Sequence, residues 1–354
     1  ALIAEAKSPI IIAGNGVLRR GASREILALA EKVHIPVAET FMGKGALDYR
    51  HHLSLMSVGL QERDWIMCGL DRADLVIAIG YDMVEYAPRY WNPLKDKVII
   101  HLDNSPAEVQ EHYVPRVEIV ADVCEGLLAL ADACEGMRPF PHHAALREII
   151  LGELAQYRED DSFPMKPQRL VSDLRAALGE DDILVSDVGA HKVWLARMYP
   201  AICPNTILIS NGLAAMGIAV PGAIAAKLVH PNRKVVAVAG DGSFLMTAPE
   251  LETAKRLGTP FVTVVWVDGA YGLIQWKQLT NFGRAFGVSF NNPDFVVYAQ
   301  AFGLPGFRVE RAADFLPTLQ QALAIPEPSV IEVAVDYGEN LRLTEKLGQL
   351  TCVI

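Results

Sequence analysis

Apolar positions in this chain cluster into short runs rich in Val and Ile, and longer stretches of helical periodicity lie between them. Pro9–Ala13, "IPVAET" (35–40), "DLVIAIG" (74–80), "KVIIHLD" (97–103) and "VEIVAD" (117–122) are such runs. Each is bounded by Gly, Pro, Asp or Lys and is apolar on both faces, the pattern of a strand buried on both sides. Arg24–Val33 carries a helical repeat, and "GNGVLRRGAS" before it reads as a loop. Strands alternating with helices predict an open parallel sheet covered on both faces. The pattern weakens at Cys134–His143, "CEGMRPFPHH", where two prolines fall within three residues. A polar helical stretch, "AALREIILGELAQYREDD", follows. We place a first α/β domain at 1–135, a linker at 136–165 and a second domain at 166–354.

The second series repeats the design. Pro167–Leu178 is helical, "DILVSDVG" (182–189) and "TILISNG" (206–212) are strands, "AVPGAIAAKLVH" is a helix, and "PSVIEVAVD" (328–336) is the last strand. The tail "GENLRLTEKLGQL" is helical by pattern. The fold class expected is α/β, with two doubly wound parallel-sheet domains.

The sharpest chemistry lies inside one strand–helix–strand unit. Lys234–Ala239 and Phe261–Val267 are buried strands, and Pro249–Leu257 between them is a helix with Leu251, Ala254 and Leu257 on one face. Gly240-Asp241-Gly242 ends the first strand and Asp268-Gly269 ends the second, 27 positions on. A right-handed crossover puts both acids at the carboxyl edge of one sheet. Two acids at neighbouring strand ends suit a hard cation, and magnesium accepts carboxylate, carbonyl, phosphate and water oxygens together. Glycine on both sides of Asp241 lets an anion approach, and Ser243 begins a helix whose free N–H groups favour phosphate. The plainer reading makes both residues ordinary turn acids beside glycine.

Composition narrows the partners. The 354 residues are 51% hydrophobic and 21% charged, enough for two cores. A net charge of −10 argues against nucleic acid or an anionic membrane surface. Five scattered cysteines form no C-x-x-C pair, which suits reduced thiols in a cytoplasmic protein. No apolar stretch reaches transmembrane length, and the opening residues do not form a signal peptide. "GNG" at 14–16 occupies the place of a dinucleotide phosphate loop, but Arg19 replaces the third glycine, so a tight turn is the reading taken.

The Gly240-Asp241-Gly242 motif with its second ligand position about 25 residues on resembles the cofactor motif of thiamine-diphosphate enzymes. Most of that family has Asn where this chain has Asp268. That departure, with "SDVGAHKVWLAR", "LISNGLAAMGIAVPGAIAAKL", "LETAKRLGTPFVTVVWVDGAYGLIQWKQ", "GYDMVEYAPRYWNP" and "ENLRLTEKLGQL", resembles the catabolic, flavin-independent acetolactate synthases. The resemblance covers nearly the whole chain but only the family's central and C-terminal domains.

The resemblance implies roles position by position. Asp241 and Asp268 would ligate magnesium through their side chains, and Ala270 through its carbonyl. Gly240, Gly242, Ser243 and the turn Tyr271-Gly272-Leu273 would hold the diphosphate. Gly189, Ala190 and His191 match the family's other diphosphate loop, although His191 also fits a capping or surface role. Met216, 25 residues before Asp241, stands where the family keeps an apolar wedge under the bent cofactor; core filling is the alternative. Gly212 and Leu213 would line the pyrimidine pocket or only turn the chain. Trp276 would face substrate or pack in the core.

In such enzymes the thiazolium carbon of thiamine diphosphate attacks a 2-keto acid and takes up the electrons released with CO₂. The family's glutamate that protonates the pyrimidine comes from an N-terminal domain not matched here, so no catalytic residue is assigned and little turnover is expected of this chain alone. The implied reaction joins two pyruvates to 2-acetolactate, within a homo-oligomer or beside a separate chain carrying the glutamate. Another decarboxylase or carboligase of this cofactor class, or a non-catalytic diphosphate- or nucleotide-binding module, are the alternatives. FAD is not expected. An Asp pair should make cofactor binding more strictly metal-dependent than an Asp/Asn pair.

Overall fold

The computed structural model describes residues 1–59, 65–140 and 143–340. Two compact units emerge: Ala1–Leu154 with Pro200–Asn205, and Ala155–Tyr199 with residues 206–340. Each is built on a six-stranded sheet.

In the first unit the strands are β1 (Pro9–Ala13), β2 (Val37–Glu39), β3 (Ser54–Ser57), β4 (Leu75–Ile79), β5 (Val98–Asp103) and β6 (Val117–Val120). Their order is β3-β2-β1-β4-β5-β6, and every pairing is parallel. Ile11, Ile77, Ile79 and Leu102 lie on one face beneath the helices Ser23–Val33 and Val123–Ala133. Full burial of such a side chain stabilises by about 1.5–3 kcal/mol, which is why continuous Val/Ile runs sit mid-sheet. "GNGVLRRGAS" is not the expected loop: Asn15–Arg20 is helical and starts at Gly14. A Cβ on Gly14 would come 2.2 Å from the Gly80 carbonyl oxygen, so glycine there permits contact between backbones.

The second unit holds β7 (Ile183–Ser186), β8 (Ile207–Ile209), β9 (Val235–Gly240), β10 (Val262–Val267), β11 (Gly306–Val309) and β12 (Ser329–Ala334). The order is β11-β12-β10-β9-β7-β8, again all parallel. The chain runs outward from β7 in both directions, so the switch point lies between β7 and β9. In open α/β sheets the crevice beyond the strand carboxyl ends at that point is where ligands bind. The strands β3 and β11 escaped the sequence reading; each is four residues long and edge-placed. The stretch set down as linker contains the helix Ala144–Ala155, whose buried Arg147 donates to the Ser54 and Tyr49 carbonyls at 2.7 and 2.8 Å. The expected tail helix lies outside the described residues beyond Asn340.

Candidate active site

The register of β9 and β10 settles the position of the two acids. Gly240 pairs with Trp266, so Asp241 and Asp268 leave adjacent strands at the same edge. The helix Asp241–Thr247 follows β9 directly, and Asp241 is its first residue. A cavity of about 210 Å³ opens here, among the carboxyl ends of β7, β9, β10 and β12. It brings together Gly189, Ala190, His191, Met216, Gly240, Asp241, Gly242, Ser243, Asp268, Ala270, Tyr271, Gly272 and Leu273. Gly212 and Leu213 do not line it, and the Leu213 side chain is fully exposed.

Asp241 is buried and heavily bonded. Its Oδ2 accepts from the Gly269 N–H at 2.7 Å, the Asp268 N–H at 3.2 Å and the Asn292 side-chain amide at 2.7 Å. Its Oδ1 takes the Gly242 N–H at 2.8 Å and, among the described residues, no other donor. Oδ2 is therefore committed to shaping the loop after β10, and Oδ1 keeps a lone pair for a cation. Burial first, and then the Asp241 charge, push the Asp268 carboxyl up to about 7; it lies within hydrogen-bonding reach of Asp241. A cation beside the pair would offset this repulsion and favour the ionised Asp268 carboxylate. A Cβ on Gly272 would come 2.5 Å from Asp268 Oδ2, so glycine there leaves the carboxylate room.

Among the described residues no three His, Cys, Asp or Glu side chains form a metal cluster. Two carboxylates and a loop carbonyl instead suit magnesium, which completes its octahedron with phosphate and water oxygens. The site also holds polar atoms in want of a partner: His191 Nε2, Tyr337 Oη and Asn292 Oδ1 are buried without one. A polar, anionic ligand answers both features, so the donor set fits a magnesium diphosphate.

His191 is buried, which removes the surface reading. Its ring fills the space that Gly189 and Gly240 leave open: a Cβ on Gly189 would come 2.7 Å from His191 Cε1 and one on Gly240 3.2 Å from Nδ1. Burial lowers its pKa to about 4 against the opposing pull of Asp187, so the ring is neutral at pH 7. The Ser243 hydroxyl donates to the Gly240 carbonyl at 3.0 Å.

Met216 is half-buried on the cavity wall and is not core filling. Asp187, at the end of β7, fixes it from both sides: Oδ1 accepts the Gly217 N–H and Oδ2 the Ala219 N–H, both at 2.8 Å. Thr247 adds a bond to the Gly217 carbonyl at 2.8 Å. The Ala270 turn is braced likewise. Tyr271 N–H donates to the Val288 carbonyl at 2.9 Å and Phe290 N–H to the Gly269 carbonyl at 3.0 Å. The helix Gly272–Phe282 then buries none of its residues, and Ile274, Leu279 and Phe282 are exposed. Trp276 is half-buried there, so the core reading does not hold.

Asp187, Asn292 and Tyr337 were missed from sequence. Only Asp187 carried a signal, an acid at a strand end beside Gly189; the other two reach the site through contacts far apart in the chain.

Both units match the models of one family. Residues 187–333 match "Thiamine pyrophosphate enzyme, C-terminal TPP binding domain" and residues 1–130 match "Thiamine pyrophosphate enzyme, central domain". The chain belongs to the thiamine pyrophosphate enzyme family. It is 36% identical over 353 residues to the acetolactate synthase of Bacillus subtilis (strain 168), covering 97% of this chain and 61% of that protein. It is 36% identical over 357 residues to the catabolic acetolactate synthase of Raoultella terrigena, covering 98% and 63%. A probable acetolactate synthase large subunit of Methanocaldococcus jannaschii is 34% identical over 367 residues, covering 100% and 62%. The chain spans about three fifths of the length of these curated relatives. No helix among the described residues is long and apolar enough to cross a membrane.

Proposed function

We propose that this chain carries the diphosphate half of a thiamine-diphosphate-dependent acetolactate synthase, which joins two pyruvates to 2-acetolactate and releases CO₂. The observation that carries the reading is the β9–β10 register, which delivers Asp241 and Asp268 into one cavity with the loop after β7. Asp241 Oδ1, the Asp268 carboxylate and the Ala270 carbonyl hold magnesium. The backbone of Gly240–Ser243, Tyr271–Leu273 and Gly189–His191 holds the diphosphate, and Met216 supports the bend of the cofactor. Bound thiamine diphosphate supplies the carbon that adds to the 2-keto acid and the ring that accepts electrons as CO₂ leaves.

The chain's own residues fix the anion and orient it. Asp241 keeps the loop after β10 in shape while it binds the ion. The neutral His191 ring packs behind the Gly189 and Gly240 backbone. Gly212 and Leu213, exposed outside this cavity, remain available to the pyrimidine end of the cofactor. The exposed apolar side chains of Gly272–Phe282, next to the cavity, support cover by a further domain, which supplies the proton-donating glutamate.

Calorimetric titration with thiamine diphosphate tests the reading. Saturable binding is expected with Mg²⁺ and strong weakening after chelation. Equal affinity with and without the ion would overturn the metal assignment. Binding without acetolactate formation, once the covering domain is supplied, would favour a non-catalytic diphosphate module.

A further inference from the structure

Tyr337 lies just past the end of β12. The chain reaches it from Val335, whose N–H donates to the Val267 carbonyl at 3.0 Å, one residue before Asp268. The turn around it is tied down. Asp336 Oδ1 accepts the Gly338 N–H at 2.8 Å, and the Tyr337 carbonyl accepts the Asn340 N–H at 2.9 Å. Asn340 in turn accepts from the Trp194 indole at 2.6 Å. The Tyr337 ring stands against Trp266, with centroids 6.4 Å apart, and a Cβ on Gly272 would lie 3.5 Å from its Cδ2. Its position is thus set by β12, β10 and the ligand turn together.

The hydroxyl is the unexplained part. It is buried, in a residue that lines the cavity; its oxygen sits within reach of the His191 N–H, but its O–H finds no acceptor among the described residues. Asp268 and Asp241 are its charged neighbours. A phenol keeps its proton at neutral pH, so the group is a donor. An unpaired buried donor is costly, and a ligand in the adjoining cavity can complete this one. Its closest polar surroundings are the metal-binding acids and the His191 loop, the same groups that frame the anion.

This step rests on the thiamine-diphosphate reading and extends it. We propose that the Tyr337 hydroxyl donates a hydrogen bond to a diphosphate oxygen, a side-chain contact added to the backbone cradle.

Tyr337→Phe removes the hydroxyl alone and keeps the ring packing. With saturating Mg²⁺, the Kd for thiamine diphosphate and for inorganic pyrophosphate should each rise about tenfold, as for loss of one bond to a charged acceptor. Thermal unfolding of the ligand-free chain should be unchanged, since the O–H has no acceptor to lose among the described residues. Unchanged Kd for both probes would overturn the proposal. So would an effect confined to the Mg²⁺ midpoint, which would put the hydroxyl on Asp268. A variant that failed to fold would make the hydroxyl structural and equally end the proposal. A wild-type chain that took up neither probe would overturn the cofactor reading itself, and the Tyr337 contact with it.

Discussion

Both sheets are six-stranded and parallel throughout, and each opens a crevice at its switch point, yet their strand orders differ and so does the chemistry of the crevices. That of the first unit, about 490 Å³, is lined by Asn15, Arg19, Tyr81, His101, Asp103 and Asn104 among others. That of the second is smaller, about 210 Å³, and sets glycine backbone and two acids among apolar side chains such as Met216, Leu273 and Ile274. The first unit has buried carboxyls too, but they serve the fold. Glu39 accepts the Leu47 N–H and Glu85 the Met42 N–H, both at 2.8 Å. In the second unit an acid placed one or two residues past the strand end points at a ligand. Topology supplies the crevice, and the few residues just beyond the strands decide what it does.

The difference can be broken most sharply at Asp241. Asp241→Ala should lower thiamine-diphosphate affinity by more than about 100-fold in calorimetry, because it removes a ligand and the anchor of the next loop together. Arg19→Ala, in the other crevice, should leave that affinity unchanged; a comparable loss there would mean the two crevices are not functionally separate.

Asn292 comes next. Asn292→Asp keeps the shape but sets a carboxylate against Asp241 Oδ2, and Asn292→Ala only deletes the donor. We expect Mg²⁺ affinity to fall about 10-fold in the Ala variant and further in the Asp variant. The reverse order would mark a merely space-filling side chain.

Asp268→Asn should lower the Mg²⁺ concentration needed for half-maximal cofactor uptake, since it removes a carboxyl that burial and then the Asp241 charge lift to about 7. A higher requirement would mean the second carboxylate is needed as a ligand more than it costs as a charge.

The smallest effect concerns stability in the first unit. Burial raises the Glu85 carboxyl to about 7 from an ordinary 4.5. A folded-state acid that holds its proton longer than the unfolded chain stabilises at low pH, and that contribution is lost as pH rises from 4.5 toward 7. The slope is about 1.4 kcal/mol per pH unit. Glu85→Gln should therefore flatten the fall in Tm between pH 5 and pH 8. An unaltered slope would show that Glu85 is ionised in the folded protein.

Much of this was legible because the chain punctuates itself. Val- and Ile-rich runs such as Val235–Ala239 and Val262–Val267 end in Asp-Gly, so strand, edge and acid could be read from one stretch. The edge strands β3 and β11 were not legible: "SLMS" and "GFRV" are four residues each, with too little period to count. The helix Asn15–Arg20 hid behind two glycines whose purpose is backbone contact with Gly80 rather than a turn. Asn292 and Tyr337 had no local signal at all. Their roles exist only because the segment Val288–Asn292 and the end of β12 fold back onto the ligand turn, 51 and 96 positions from Asp241 in the chain.

The divided carboxylate of Asp241 has an evolutionary corollary. One oxygen knots the scaffold while the other meets the outside world, so no single replacement can tune the second without loosening the first. Drift at this centre is channelled to its neighbour across the gap, position 268, where exchange between an acid and its amide alters the electrical load and leaves the knot tied.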